Sequence, residues 1–325
     1  MPDATISIVG GLPAVVSARG DAILDDMKGS AKTLERLLLR HGALLLRGFV
    51  PSSEQDGLSV FRRFVEAFSG PILPYRERSS PRSEIAGNVY TATDHPPSSS
   101  IFLHNELSYS EIFPSRLHFF CQRPADSGGS SLLADSREVL ARVPEDLRTR
   151  LVTEGYRYVR HMRSGIGLSW QDVFQTSDRG EAESYCRDRD IELTWLPDDE
   201  AKTVQRRNVT LRHPATGELS WFNHCAFFHV STLGAENAAT LRSLFTEDAL
   251  PNNTEFGGGA KISDDDCYRL RQAYLESCVD VTWQRGDLLV IDNLLVCHGR
   301  TPFIGDRRIA VAMTGSTSWD ALRGL

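Results

Sequence analysis

The chain has 325 residues, 41% apolar and 24% charged, a composition that suits an ordinary globular protein long enough to bury a large core. Thirty-six Lys and Arg stand against 43 Asp and Glu, and a net charge of -7 without a dominant basic block argues against nucleic-acid binding. There is no apolar run of about 18 residues to span a bilayer. Met1-Pro2-Asp3-Ala4-Thr5 lacks the basic-then-apolar opening of a secretory signal, so a cytoplasmic protein is expected.

The first predicted helix covers 30–41, with Ser30 as N-cap and Gly42 as its stop. Ala43 to Phe49 reads as a buried strand, and a second helix runs from about Ser53 to Phe68, with Leu58, Phe61, Phe64, Val65 and Phe68 on one apolar face. Residues 70–100 are rich in Pro, Ser and charge, and so long a loop ahead of a buried strand suits a lid or a substrate-contacting segment. His95, next to a Pro pair in this loop, is read as a surface histidine. Residues 116–135 form a strand–turn–strand pattern, 136–153 are helical with Pro144 at a helix start, and 155–163 return as a strand. An insertion at about 164–200 carries Trp170, a helix near 180–189 and a short strand near 191–195. A hairpin over 203–221 turns at Ala215-Thr216-Gly217-Glu218. A helix over 264–278, capped by Ser263 or Asp264, precedes strands at 280–283, 286–292 and 307–314. Gly257-Gly258-Gly259 lacks the Lys-Ser/Thr of a phosphate loop.

Many strands with a few flanking helices, and no βαβ alternation, point to a mainly β chain folded as a double-stranded β-helix, or jelly roll. One such domain is expected over 1–325, with N-terminal helices at about 30–69 and the insertion at about 164–200. The six cysteines, Cys121, Cys186, Cys225, Cys267, Cys278 and Cys297, form no C-x-x-C pair and read as reduced thiols.

The chemistry centres on Ile101-Phe102-Leu103-His104-Asn105-Glu106 and Val296-Cys297-His298-Gly299-Arg300. At a strand end, residues i and i+2 share a face, so His104 and Glu106 project together and Asn105 turns away. Cys297, adjacent to His298, turns away too and reads as packing. Two imidazoles and a carboxylate leave open positions on an octahedral metal, the facial triad of non-haem Fe(II) oxygenases. His104, Glu106 and His298 are therefore expected to hold one Fe(II). A catalytic zinc can take the same donors, but the usual H-E-x-x-H helix is missing. A metal-free jelly-roll binding protein is the remaining alternative. Gly128-Gly129-Ser130-Ser131 supplies hydroxyls, and Arg307-Arg308 supplies guanidinium groups able to clamp a carboxylate.

With His104-x-Glu106, Gly128-Gly129-x-Ser131, Trp283-x-x-Gly286-Asp287, Asp292-Asn293 and His298 followed by Arg307-Arg308, the sequence resembles the taurine dioxygenase/TfdA superfamily of Fe(II)- and 2-oxoglutarate-dependent oxygenases. Tyr75-Arg76-Glu77-Arg78, Ser80-Pro81-Arg82, Val89 to Thr93 and His104 to Tyr109 are similar to its SyrP-type hydroxylase and clavaminate synthase-like branch. The resemblance covers about residues 40 to 316, without the insertion. Most of the superfamily has Asp where Glu106 stands; Glu is usual in this branch and argues against a halogenase, which has a small residue there.

The resemblance implies a clavaminate synthase-like jelly roll with Fe(II), 2-oxoglutarate and O2. Arg308 matches the Arg that pairs with the distal carboxylate of 2-oxoglutarate, and Ser131 a hydroxyl residue that binds the same molecule. Arg307 is assigned to supporting the fold. Asn88, Arg76, Arg82, Asn105, Asn223 and Arg300 are candidate substrate contacts. The implied reaction is hydroxylation of an unactivated C–H bond in an amino acid or related carboxylate-bearing small molecule, free or tethered to a carrier protein. Desaturation and epoxidation share such a site.

Overall fold

The computed structural model describes residues 5–19, 31–49, 54–75, 83–92, 95–163 and 165–323. In chain order the elements begin with β1 (Thr5–Val9), β2 (Ala14–Arg19), α1 (Ala31–His41), β3 (Ala43–Arg47) and α2 (Glu54–Ser69). The expected cap Ser30 and the expected helix start Ser53 lie outside the described residues. Next come β4 (Glu84–Ala86), β5 (Val89–Thr91), β6 (Ile101–His104), β7 (Ile112–Arg123), β8 (Ser127–Gly128) and β9 (Ser131–Asp135). The middle of the chain holds α3 (Ser136–Arg142), α4 (Glu145–Glu154), β10 (Tyr156–Met162), α5 (Trp170–Phe174), α6 (Arg179–Arg187), β11 (Ile191–Trp195) and β12 (Ala201–Arg207). Then follow β13 (Thr210–Arg212), β14 (Leu219–Trp221), α7 (Cys225–Phe228), α8 (Ala235–Leu244), β15 (Asn252–Phe256) and α9 (Asp264–Glu276). The last strands are β16 (Cys278–Val281), β17 (Leu288–Asp292), β18 (Val296–Arg300), β19 (Phe303–Ile304) and β20 (Arg308–Ser318).

Two sheets make the jelly roll. The major sheet runs β1-β2-β3-β17-β7-β20-β5-β4, and the minor sheet runs β16-β9-β18-β6. β17 is buried along its whole length because both faces of the major sheet are covered. On one face Leu117, Phe119 and Cys121 of β7 join Ile309, Val311 and Met313 of β20 and Leu289 and Ile291 of β17 in the inner core. On the other face Phe120, Ala310, Ala312, Leu288 and Val290 meet Leu34 and Leu38 of α1 and Phe61, Phe64 and Val65 of α2. The alternation has the strand period of two, and the apolar stripe expected on the second helix is this contact. Phe61 stacks on Phe120 with ring centroids 5.5 Å apart, so Phe61→Ala would cost about 3–5 kcal/mol.

The pattern over 116–135 is a corner rather than a simple hairpin. β7 belongs to the major sheet and β9 to the minor one, and the turn between them carries the chain across the sandwich. Likewise β12 leaves the expected 203–221 hairpin, which is β13 with β14 alone. β12 pairs instead with β10 and with β11 of the insertion, in a further sheet ordered β11-β12-β10-β15. Part of the 70–100 segment is also a strand pair, β4 with β5, on the edge of the major sheet. Ser263 caps α9 by accepting from the Asp266 N–H, and all six cysteines are free thiols.

Candidate metal and co-substrate site

The minor sheet builds the centre through its register. β18 runs antiparallel between β6 and β9, with His298 directly opposite His104 on one side and Leu133 on the other. Directly opposed residues share a face, so both imidazoles enter the inner core with ring centroids 4.5 Å apart. The strand ends at His104, and Glu106 opens a turn instead of continuing the pleat. Its carboxylate still reaches the same point: Oε2 lies 3.8 Å from His298 Nε2, and one ligand atom from each of the three residues lies within 4.8 Å of the others. Among the described residues this is the one such group of three or more metal-ligating side chains.

The surroundings orient these donors. The Phe102 carbonyl lies 2.9 Å from His104 Nδ1; a carbonyl only accepts, so Nδ1 carries the proton and Nε2 is left for a metal. Asn293 clamps the turn from behind. Its Oδ1 accepts from the Glu106 N–H at 2.8 Å, and its Nδ2 donates to the carbonyls of Glu106 at 3.0 Å and Pro114 at 2.7 Å. Asp287, at the Gly-Asp step before β17, is buried and takes a two-pronged contact from Arg47 at 2.9 and 2.7 Å. These motif residues therefore hold the frame and do not enter the site.

Next to the imidazoles, β18 and the segment between β19 and β20 gather cations. Arg300 lies opposite Ser131 in the β18–β9 ladder and is only 4% exposed. It donates to the backbone carbonyls of Pro96 at 2.8 Å and Ser99 at 2.7 Å, while its Nε is buried without a partner. Arg307 lies near it, and both guanidinium groups face the Phe303 ring, at 4.9 Å for Arg300 and 5.7 Å for Arg307. Burial, with Arg300 adding repulsion, pulls the Arg307 guanidinium down to about 10. Arg307 Nε donates to the Gly129 carbonyl at 3.0 Å. Gly128 is required here: it has φ +68°, and a Cβ would meet the Pro302 carbonyl at 2.2 Å. Neither arginine pairs with an acidic side chain among the described residues. Ser131 Oγ accepts from Trp283 Nε1 at 3.1 Å.

Arg308 needs correcting. Its side chain is 52% exposed and pairs with Asp306 at 2.9 Å on the outside of the sheet. Ile309 faces the inner core and Ala310 the helices, so alternation sends Arg307 inward and Arg308 outward. Spacing from His298 could not separate two adjacent arginines; strand parity does.

Two of the substrate candidates are also placed elsewhere. Asn105 donates to the Asn293 carbonyl at 2.9 Å and to Ser136 Oγ at 3.2 Å, and Asn223 donates to the Val209 carbonyl at 2.9 Å while accepting from the Cys225 N–H. Both brace backbone. Asn88 sits at φ 64° in the turn between β4 and β5 and accepts from the Tyr90 hydroxyl at 3.4 Å. Arg76 and Arg82 lie outside the described residues. His95 is exposed.

Three aromatic neighbours carry no motif signal. Phe119 lies 5.4 Å from His298, and Phe227 lies 4.6 Å from His104. His224, at the start of α7, is buried 5.2 Å from His104, with its Nδ1 2.6 Å from Ser108 Oγ. Burial, then the nearby His104, drives the His224 imidazole well below its ordinary range, so it stays neutral.

The family model "Taurine catabolism dioxygenase TauD, TfdA family" matches residues 11–314. The chain belongs to the TauD/TfdA dioxygenase family. As a member it is a non-haem Fe(II)- and 2-oxoglutarate-dependent oxygenase, with O2 as the oxidant, and the resemblance read from its motifs holds. It is 34% identical over 309 residues to the dapdiamide synthesis protein DdaC of Enterobacter agglomerans, covering 94% of this chain and 92% of that one. A clavaminate synthase-like protein of Arabidopsis thaliana is 33% identical over 293 residues, 86% of this chain and 83% of that one. Among solved structures, a taurine dioxygenase from Burkholderia xenovorans superposes with a TM-score of 0.54 at 15% identity, covering 97% and 92% of the two chains. PvcB of Pseudomonas aeruginosa gives 0.53 at 15% identity, covering 96% and 91%. At that identity the structures speak for the shared jelly roll. Among the described residues no helix is long and apolar enough to cross a membrane.

Proposed function

We propose that this oxygenase hydroxylates an unactivated C–H bond of an amino acid or related carboxylate-bearing small molecule in specialised metabolism. The observation that carries the site assignment is the convergence of His104, Glu106 and His298 beside the buried Arg300 and the half-buried Arg307, neither with an acidic partner among the described residues. Two imidazoles, one carboxylate and no thiolate suit Fe(II). Bound there with 2-oxoglutarate, the iron supplies the activation of O2 that oxidises a C–H bond as the keto acid becomes succinate and CO2.

The chain's own residues do the rest. His104 through Nε2, Glu106 and His298 would hold the iron. Arg307, with the orphaned Arg300 Nε, fits the distal carboxylate of 2-oxoglutarate, since two desolvated cations need an anion close by. Ser131, oriented by Trp283, is placed opposite Arg300 to complete that cradle. Phe119 and Phe227 keep water from the imidazoles, and neutral His224 adds no positive charge next to them. The name of the DdaC relative, a dapdiamide synthesis protein, supports a place in specialised metabolism.

The test is a mass-shift screen of amino acids, free and loaded on carrier proteins, with Fe(II), 2-oxoglutarate and O2. A gain of one oxygen matched by one succinate is expected. Loss of two hydrogens instead would assign desaturation. An oxygen gained across a double bond would assign epoxidation. Succinate formation independent of every amino acid and acyl carrier would overturn the substrate class.

A further inference from the structure

A cleft of about 250 Å³ lies where Phe113 and Pro114 of β7 meet Met313 and Ser316 of β20, at the far end of that strand pair from Arg308. Its walls include Leu73, Leu107 directly after Glu106, Phe113 from the start of β7, Met313 from β20, and Tyr185 and Arg189 from the insertion. The register fixes how near it is. Met313 pairs with Leu117, two residues along β7 from Phe119, whose ring lies 5.4 Å from His298. At ~3.3 Å per strand residue, the near wall is about 7 Å along the sheet from that level. Leu107 reaches the wall from a left-handed backbone, φ 56°, which bulky side chains rarely adopt and which tends to mark functional sites.

The cleft is mainly apolar, with the hydroxyl residues Ser110 and Ser316 and one cation, Arg189. Arg189 lies 3.9 Å over the Tyr185 ring and donates to the Tyr185 carbonyl at 3.3 Å, so the guanidinium is held in place. No acidic side chain lines the cleft or pairs with Arg189 among the described residues. A fixed arginine at the edge of apolar walls suits a carboxylate on a hydrocarbon chain. The volume, below the ~300–1,000 Å³ of drug-sized pockets, suits a ligand of amino-acid size.

We propose that this cleft is the substrate subsite, with Arg189 receiving a substrate carboxylate and Leu73, Leu107, Phe113 and Met313 taking its apolar chain. The link to turnover rests on the oxygenase site proposed above; the ligand chemistry does not. The insertion would then set specificity while the strands carry the reaction.

The probes are 4-methylpentanoate and 4-methylpentanamide, alike in shape and different in charge. They are titrated by ligand-observed NMR into the full chain, anaerobic and loaded with Fe(II) and saturating 2-oxoglutarate, so that the Arg307 cradle is filled. The acid should bind about tenfold more tightly than the amide, as a lost charge-assisted pair implies. Arg189→Gln should erase that preference and Arg189→Lys should keep part of it. The Arg189 carbonyl, which accepts from Arg207 Nη2 at 3.0 Å, survives both substitutions, so the turn keeps its tie. Equal binding of the two probes to the wild type, or an acid preference that persists in Arg189→Gln, would overturn the assignment. An acid preference without succinate from any substrate would uphold the cleft and count against the oxygenase site. Coupled turnover without the preference would do the reverse.

Discussion

The two ends of the inner core hold their cations in opposite ways. Arg300 stands on β18, the strand whose register places His298 opposite His104, and Arg307 lies just before β20, tied to the Gly129 carbonyl. Arg189 stands on the insertion just past the end of α6, held by the ring and the carbonyl of Tyr185 in that helix. The first end cannot shift without moving the metal ligands. The second can be rebuilt without touching them. Chemistry that must not change is placed on paired strands, and recognition that must vary is placed on an inserted segment.

The largest effect should come from the strand-built end. His104→Ala, Glu106→Ala and His298→Ala should each lower substrate-linked succinate formation by about a thousandfold or more, since the metal contributes several kcal/mol to the barrier. Coupled turnover retained in all three would break the metal assignment. Next, Arg307→Ala should raise the 2-oxoglutarate concentration for half-saturation by about 10- to 100-fold, in keeping with ~1.5–3 kcal/mol for a bond to a charged group. Arg308→Ala should leave it within about twofold, because its partner is Asp306 on the outer face. The reverse order would restore the spacing-based choice of Arg308.

Asn293→Ala sharpens the contrast in another way, because it removes the clamp behind Glu106 without removing a ligand. Urea unfolding should show a loss of about 1–3 kcal/mol, the penalty for unpaired buried groups, and iron affinity should fall about tenfold. Unchanged iron affinity would mean that the Glu106 turn holds its shape unaided.

The effect of least consequence for turnover lies away from both ends. His118, on the helix-facing side of β7, is pushed down to about 3 by burial, with Arg116 adding. Its folded value is below its unfolded one, so the unfolded chain takes up the proton first. This contribution is fully present above about pH 6.5 and is lost as pH falls toward 3, at up to ~1.4 kcal/mol per pH unit. His118→Leu should flatten that acid limb by one proton in urea titrations at several pH values, with iron binding unaltered. An unchanged slope would show that His118 is not buried neutral.

Much of this was legible before any coordinates. The 3.6-residue stripe of Phe61, Phe64, Val65 and Phe68 marked a helix with one apolar face, and the continuous apolar run Leu288 to Ile291 marked a strand. His104 and Glu106 converge for a partly different reason than the expected pleat: the strand stops at His104, and the Asn293 clamp holds the turn that carries Glu106. Arg307 and Arg308 could not be told apart because parity depends on where β20 begins. His224, Phe227 and Arg189 left no signal, since their roles come from contacts across distant stretches and not from spacing. Asn105 and Asn223 were candidate substrate contacts, yet both satisfy buried backbone groups, a demand that only the packed fold reveals.

Anaerobic calorimetric titration of Fe(II) into the wild-type chain and into His298→Ala, with and without 2-oxoglutarate, bears most directly on the three-ligand centre. One iron per wild-type chain, 2-oxoglutarate binding strengthened once iron is present, and loss of both in the variant are the expected results. Iron bound as tightly by His298→Ala as by the wild type would contradict the assignment of the centre to His104, Glu106 and His298.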